Sequence, residues 1–534
     1  MRKFSSYGRL DRELHYYAPR TALLEKAYTQ LVGDNPHKGG HYITVWAPRQ
    51  TGKSSVMLQV VQKIKQGDEF DVAIITMESA KDETCAETVL RIFVRHLQAK
   101  LTTPFPEITT WNQVPELFTR TYLNKPLILI LDEFDALQEA FINKFASEFR
   151  MISTDRNNEP DTPGAEKRYL LHGLALIGVR SVLGIENVSG SPFNVQRGLH
   201  IPNLTSTEVD EMFRWYERES GQPVEQAVID RLYAETKGQP GLTCWFGELL
   251  TEGFEGYQPS TNTPIGPDQF DTVYAAGLNA LPNNNILNIV SKAKQAPYTD
   301  FILNLFKTDK KIRFTYDDPI INFLYMNGVI DLERVAGERG VYVKFPSPFV
   351  QKRLFNYFSH DLFEYMGKLY EPFEDFEDTI TDDNLNIRHL MRRYERHVRA
   401  NREWLLKDAP RRADLRIYEA VYHFTLYMYL TNFLEGFGGR VHPEFPTGNG
   451  KIDLIIEYAG RTYGLEVKSF STRKEYRKAL IQAAQYGQQL RLREISLIVF
   501  VESIDEANRH TYEVVYEDEE TGVSVEPVFV ETGS

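Results

Sequence analysis

The sequence predicts a multidomain α/β protein: a mostly parallel sheet first, then a helical segment, and a second α/β domain at the C-terminal end. Three observations carry this reading. Five consecutive apolar residues, Leu127 to Leu131, suit a parallel strand buried on both faces. Strand-like runs at 42–46 (YITVW), 71–77 (DVAIITM) and 171–178 (LHGLALIG) alternate with helical stretches, the pattern of an open α/β sheet. The 534 residues exceed what one hydrophobic core organises, so three or four domains are expected.

YITVW leads into APRQTGKSS and then the amphipathic VMLQVVQKIKQ, which reads strand, loop, helix. A helix is expected at about 83–100, and Pro126 precedes the apolar run that ends in Asp132. A further strand at 198–201 comes before LTSTEVDEMF, where Thr205 or Ser206 could cap a helix. From about 208 to 290 the pattern is helical, broken by KGQPGL at 237–242. Residues 293–360 mix helices with a hairpin, LERVAGERGVYVKF, whose turn falls near Gly337–Gly340, and together these suggest a winged helix. A charged, helix-like arm follows, and from 412 come a long helix, three strand-like runs and another helix. The expected domains are a core at 1–205, a helical lid at 206–290, a winged helix at 291–360, a helical connector at 361–411 and a terminal domain at 412–534.

Composition sets the bounds. Hydrophobic residues at 42% and charged residues at 25% are ordinary for a soluble globular chain. No apolar run reaches the length of a membrane span, and the start, MRKFSSYGRL, lacks the apolar stretch of a secretory signal. Two distant cysteines, Cys85 and Cys244, argue for a reducing cytoplasm and against a disulfide framework or structural zinc. His41, His172, His423 and His442 show no zinc spacing and read as satisfied structural histidines. The formal net charge of −13 counts against nucleic-acid binding without excluding it, so that reading must rest on a local site.

Ala47-Pro-Arg-Gln-Thr-Gly-Lys-Ser54 follows a strand and opens a helix, the context a P-loop needs. Backbone N–H groups of Arg49, Gln50, Thr51, Gly52, Lys53, Ser54 and Ser55 would cradle phosphates at a helix N-terminus. Lys53 would reach the β- and γ-phosphates of ATP, and the Ser54 hydroxyl would bind Mg²⁺. Ala47 stands where a glycine is usual in that turn. Asp132, ending a buried strand, would hold the magnesium through water, and Glu133 could polarise an attacking water. With YYAPR at 16–20, LILDEFD, GVRS at 178–181 and KGQPGL, residues 10–355 resemble the AAA-like ATPases close to the signal-transduction (STAND) NTPases. In that group the alanine form of the loop is familiar. The resemblance implies that Arg180 is a sensor near the γ-phosphate, that Pro240 touches the nucleotide from the lid, and that YYAPR lies by the adenine.

A second constellation stands near the C-terminal end. Gly450-Lys-Ile-Asp453-Leu-Ile-Ile-Glu457 and Tyr463-Gly-Leu-Glu466-Val-Lys468 read as two strands of a hairpin. Residues two apart on a strand share a face, so Glu466 and Lys468 point together and Asp453 can meet them from the neighbouring strand. Two carboxylates with a lysine suit a Mg²⁺ or Mn²⁺ site beside a nucleophilic water. Glu419 lies on an aromatic-rich helix on one face with Tyr422, His423 and Leu426, a costly place for an unpaired carboxylate. Gln482 and Tyr486 follow one turn apart on a later helix. Glu419, Asp453, Glu466-x-Lys468 and Gln482-x-x-x-Tyr486 resemble the PD-(D/E)xK nuclease superfamily over about 412–505, although Lys451-Ile452 replaces its name-giving proline. The resemblance implies a metal at Glu419, Asp453 and Glu466, catalysis by Asp453, Glu466, Lys468 and Gln482, and a nucleic acid as substrate.

Other features carry less. The aromatic stripe Tyr422–Tyr429 reads as core, and the acidic 517–522 segment as a solvated loop. Lys307, Lys310, Lys311 and Arg313 form a small basic cluster in the expected winged helix. The expected function is an ATP-governed switch controlling a nuclease, suited to prokaryotic defence, with a homo-oligomer or regulatory protein partner left open. Its rivals are a regulatory ATPase with a silent nuclease-like binding module, and an ATP-driven translocating or remodelling enzyme.

Overall fold

The run from Leu127 forms a strand buried along its whole length, the second strand of a five-stranded parallel sheet. The computed structural model describes residues 1–8, 10–178, 197–307, 311–335, 337–370, 374–407, 419–444, 453–469 and 472–533. The chain divides into two compact units, one of residues 1–289 with 315–330 and the other of 290–314 with 331–534.

The first unit opens with α1 (Thr21–Val32), β1 (Tyr42–Trp46), α2 (Lys53–Ile64), β2 (Asp71–Thr76) and α3 (Ala86–Leu101). It continues through β3 (Leu127–Asp132), α4 (Glu139–Asn157), β4 (Leu171–Gly178) and β5 (Arg197–His200). Helices α5 (Ser206–Ser220), α6 (Gln226–Thr236), α7 (Pro240–Thr251) and α8 (Pro267–Asn279) follow. The strands lie in the order β2-β3-β4-β1-β5. Alternate residues of β3 serve two cores: Leu127, Leu129 and Leu131 pack with Phe93 of α3 and Phe145 of α4, while Ile128 and Ile130 pack with Leu31 of α1 and Val60 of α2. That double burial is why the strand is uninterruptedly apolar.

Thr205 caps α5 with a reciprocal box to Glu208, its hydroxyl accepting from the Glu208 N–H at 3.2 Å. Pro240 opens α7, where its missing N–H costs nothing, and the Gln239 side chain caps it.

His172 on β4 is buried with its Nε2 2.8 Å from the Val32 carbonyl. Burial pushes its imidazole down to about 4 from an ordinary 6.5. The unfolded chain therefore binds the proton first, and stability is lost as pH falls from 6.5 towards 4. His172→Gln is expected to flatten this acid loss by about 2 kcal/mol in denaturant melts at pH 7 and pH 4.5; equal acid sensitivity in both proteins would contradict it.

The division between the units falls within α9 (Asn284–Ala293). Then come α10 (Tyr298–Lys307), α11 (Pro319–Met326), the antiparallel hairpin β6 (Asp331–Arg334) with β7 (Val341–Lys344), and α12 (Pro348–Phe363). The short pair β8 (Ile380–Thr381) and β9 (Asn384–Leu385) precedes α13 (Ile387–Leu405) and α14 (Glu419–Glu435). The chain ends with β10 (Arg440–Glu444), β11 (Asp453–Tyr458), β12 (Arg461–Ser469), α15 (Arg473–Gln489), β13 (Glu494–Val501), α16 (Glu506–Tyr512), β14 (Tyr516–Glu517) and β15 (Ser524–Glu531). These last six strands form one mixed sheet in the order β10-β11-β12-β13-β15-β14.

α15 covers one face of this sheet, packing Ala483 and Tyr486 against Leu497 and Val499. Phe500 points to the other face, where it meets Tyr394 of α13 and Tyr422 of α14. Tyr422, Tyr427 and Tyr429 are buried core residues. Beyond β14 the edge of β15 is closed by side chains. Arg392 and Arg509 donate to the Phe529 carbonyl, and Glu513 and Glu395 accept from the N–H groups of Phe529 and Glu531. Such caps remove the free edge that would otherwise pair with another chain. Among the described residues no helix is long and apolar enough to cross a membrane.

Candidate functional site

Between the end of β1 at Trp46 and the start of α2 at Lys53 the chain reverses over a tight loop. The left-handed residues are Gln50 (φ 56°) and Gly52 (φ 87°), and Ala47 is not among them. Ala47 therefore needs no glycine, which removes the objection to it. A Cβ at Gly52 would meet nothing within 4 Å, so φ alone demands glycine there and the space over the loop is open. The Thr51 hydroxyl donates to the Pro48 carbonyl at 2.9 Å, fixing the turn. No side chain caps the N-terminus of α2, which leaves its first-turn N–H groups for an anion.

Lys53 Nζ donates to the carbonyls of Ala47 and Pro48, each at 2.8 Å. Burial pushes its ammonium down to about 8, against the opposing charges of Asp135, Asp132 and Glu133. Asp132 is buried at the end of β3 and accepts from the Glu133 N–H at 3.1 Å. Glu133 stands at φ 52° as an exposed residue whose carboxyl is only partly shielded from water; that partial desolvation, then Glu78, Asp132 and Asp135, raises its pKa. The sequence reading quoted Asp135 within LILDEFD but gave it no role. In the structure it is the carboxylate that acts most on Lys53. A Cβ at Gly178 would lie 2.8 Å from the Asp135 carboxyl carbon, so the glycine ending β4 makes room for it. Arg180 lies outside the described residues.

The lid turn docks on the loop. Gly241 N–H donates to the Gln50 carbonyl at 3.0 Å, and Gln239 Nε2 donates to the carbonyls of Arg49 and Gln50 at 3.1 and 3.2 Å. A Cβ at Gly241 would come within 2.6 Å of the Gln50 side chain, so this approach requires glycine. Arg49 reaches Asn288 at 3.4 Å. A cavity of about 150 Å³ is lined by Tyr16, Tyr17, Thr51, Ser55, Pro240 and Cys244, among others. The YYAPR segment, the loop and the lid thus surround one cavity, held partly by Arg20, which donates to the Pro202 carbonyl at 2.7 Å. The residues after α11 also reach the loop: a Cβ at Gly328 would lie 2.8 Å from Pro48.

In the second unit Asp453 and Glu466 are register partners across β11 and β12. They are 0% and 1% exposed, and Lys468 Nζ lies 3.3 Å from Glu466 Oε1. The expected trio is therefore brought together. His423 is buried, and burial and then Lys468 push its imidazole down to about 3. Tyr486 is buried on α15, while Gln482 one turn earlier is exposed; four residues advance a helix by 400°, enough to carry a side chain past the edge of a buried stripe. Glu419 begins α14, with its side chain, like Gly450 to Ile452 and Lys310, outside the description. Two buried carboxylates beside a lysine are the oxygen donor set a hard divalent ion takes. Among the described residues no group of three or more His, Cys, Asp or Glu side chains is gathered as a metal site. The basic cluster is partly neutralised, since Lys311 pairs with Glu338 at 2.5 Å. Glu444 on β10 is the register partner of Asp453, a pairing hidden in the sequence because Pro443 beside it argues against a strand.

The Walker-type ATPase paby2304 of Pyrococcus abyssi is similar to this chain at 14% identity, over 66% of this chain and 99% of that one, with a TM-score of 0.39. The ORC1 protein of Aeropyrum pernix, solved in complex with DNA, is similar at 15% identity, over 64% and 92%, with a TM-score of 0.34. The RuvB Holliday junction branch migration motor of Thermotoga maritima is similar at 13% identity, over 61% and 92%, with a TM-score of 0.33. A comparison with curated proteins found no match. Residues 6–246 match the family described as AAA-like domain. That match falls within the first unit.

Proposed function

We propose that the protein is an ATP-binding and ATP-hydrolysing switch whose nucleotide state governs a Mg²⁺- or Mn²⁺-dependent, phosphodiester-cleaving site in the second unit. The observation that carries the first half is Lys53, held over the loop mouth by the Ala47 and Pro48 carbonyls with Asp132, Glu133 and Asp135 acting on it. Bound ATP with its divalent ion supplies the transferable phosphoryl group. Lys53 and the α2 N-terminus bind the phosphates, Ser54 and Asp132 hold the ion, and Glu133 orients water. Arg180 is the proposed γ-phosphate sensor. The lid reads the loop through the Gly241–Gln50 hydrogen bond, so a change at Gln50 reaches α7 directly.

The second half rests on Asp453, Glu466 and Lys468. The two carboxylates would hold a divalent ion, with Glu419 and Gln482 completing the site as the superfamily resemblance implies. Lys468 would position water and steady charge on the cleaved phosphate. A switch of this kind suits defence against foreign nucleic acid in a prokaryotic cytoplasm.

The pKa of Lys53 gives a direct test of the nucleotide half. Phosphates need the ammonium charged, and without them it titrates at about 8. ATP affinity is therefore expected to fall about tenfold between pH 7 and pH 9, with proton uptake on binding above pH 8. Calorimetry in buffers of different ionisation heat reads both. A flat profile without proton uptake would contradict the role of Lys53. For the cleavage half, the test is metal-dependent cutting of plasmid DNA or RNA.

A further inference from the structure

Arg388, Arg392, Arg396 and Arg399 of α13 follow one another at three- and four-residue steps, which places them along one face of the helix. Across from them α16 presents Arg509 and His510, and the two helices bound a cavity of about 520 Å³. That volume falls in the range of small-molecule sites. The cavity borders β15, which β13 separates from the β12 strand carrying Glu466, so it stands apart from the Asp453 and Glu466 pair.

Its inner wall is fixed by charges that are already committed. Arg392 donates to Glu513 at 2.6 Å and to the Phe529 carbonyl at 2.7 Å. Arg509 donates to Glu395 at 2.6 Å and to the same carbonyl at 3.0 Å. Both carboxylates also accept from backbone N–H groups of β15, so this layer serves the strand edge. Arg388 is held by Glu526 at 2.7 Å.

The outer layer is different. Arg396 is exposed and holds no hydrogen bond or ion pair among the described residues. Arg399, its side chain 65% exposed, has Glu531 at 3.2 Å. Like charges at this helical spacing repel one another, and nothing in the fold relieves Arg396. The lining sets five arginines against Glu395, Glu506, Glu513 and Glu531, so positive charge is in surplus before His510 is counted. Two guanidinium forks one turn apart match the oxygens of a phosphate group. Ile504 is the apolar residue of the lining and no aromatic ring borders the cavity among the described residues, so nothing there would stack a base.

We propose that this cavity binds a small phosphorylated ligand of the sugar-phosphate type, its phosphate taken by Arg396 and Arg399, with His510 facing it from α16. Arg399 exchanges Glu531 for the phosphate, and Glu531 keeps Arg509, which lies 4.0 Å from it. The inner wall is in place before the ligand arrives, so little ordering opposes binding.

Titration of ribose 5-phosphate into the full chain by calorimetry tests this. The wild type and Lys53→Ala bind it alike, and ribose does not bind. The double variant Arg396→Gln/Arg399→Gln, at two exposed positions, binds at least about tenfold more weakly, the loss of one charge-assisted hydrogen bond or more. Binding unchanged in the double variant overturns the inference, as does binding lost in Lys53→Ala, which would place the phosphate on the loop. Tighter binding of a short oligothymidylate without a terminal phosphate, weakened by the same double variant, also overturns it, since the arginines would then serve a nucleic-acid backbone. No heat from ribose 5-phosphate at millimolar concentration in the wild type leaves no such site.

Discussion

Lys53→Ala is expected to weaken ATP binding at pH 7 by about hundredfold while leaving the melting temperature unchanged or raised. Charge-assisted hydrogen bonds to phosphate oxygens contribute about 3 kcal/mol together, and each 1.4 kcal/mol is about tenfold in affinity. The lack of a stability cost has a separate cause. Burial already lowers the Lys53 pKa to about 8, so the fold tolerates that ammonium rather than depending on it. Asp135→Ala provides the companion result: removing the strongest of the opposing charges moves the pH midpoint of ATP binding below 8. A loss under about threefold in Lys53→Ala would place the nucleotide elsewhere.

Asp453→Asn is expected to reduce metal-dependent cleavage by at least about a thousandfold, and to raise stability in metal-free buffer by about 1 kcal/mol. The two effects come from one arrangement. Asp453 faces Glu466 directly across the strands, both essentially fully buried, and like charges directly opposite destabilise a sheet. An amide of the same shape removes the repulsion and a hard ligand at once. Thermal melts with and without Mn²⁺, beside a cleavage assay, separate this from a structural role. A lower melting temperature with cleavage retained would contradict the site.

The residues that carried most of the sequence reading were those whose pattern has a single physical cause. Leu127 to Leu131 is apolar without interruption because both faces of β3 are covered, and that alone marks a central parallel strand. The spacing of Glu466 and Lys468 fixes their shared face, and β12 keeps it. Registers were beyond reach. That Asp453 pairs with Glu466 could be expected from the hairpin, but that Glu444 pairs with Asp453 depends on β10, a strand hidden by Pro443 and tolerated because β10 lies at the edge of its sheet. Asp135 was hidden for a different reason. Its importance comes from the short turn after Glu133 that sets its charge to act on Lys53, an electrostatic effect between segments about eighty residues apart.

The most direct test of the central claim is cleavage of plasmid DNA and of RNA by the full chain with Mg²⁺ or Mn²⁺, with and without ATP, beside Lys53→Ala and Lys468→Ala. The expected result is cleavage that ATP alters in the wild type, that ATP no longer alters in Lys53→Ala, and that is lost in Lys468→Ala. Cleavage indifferent to ATP and identical in Lys53→Ala would contradict the switch. No cleavage under any of these conditions, with ATP still bound, would contradict the nuclease and leave a regulatory ATPase with a silent second unit.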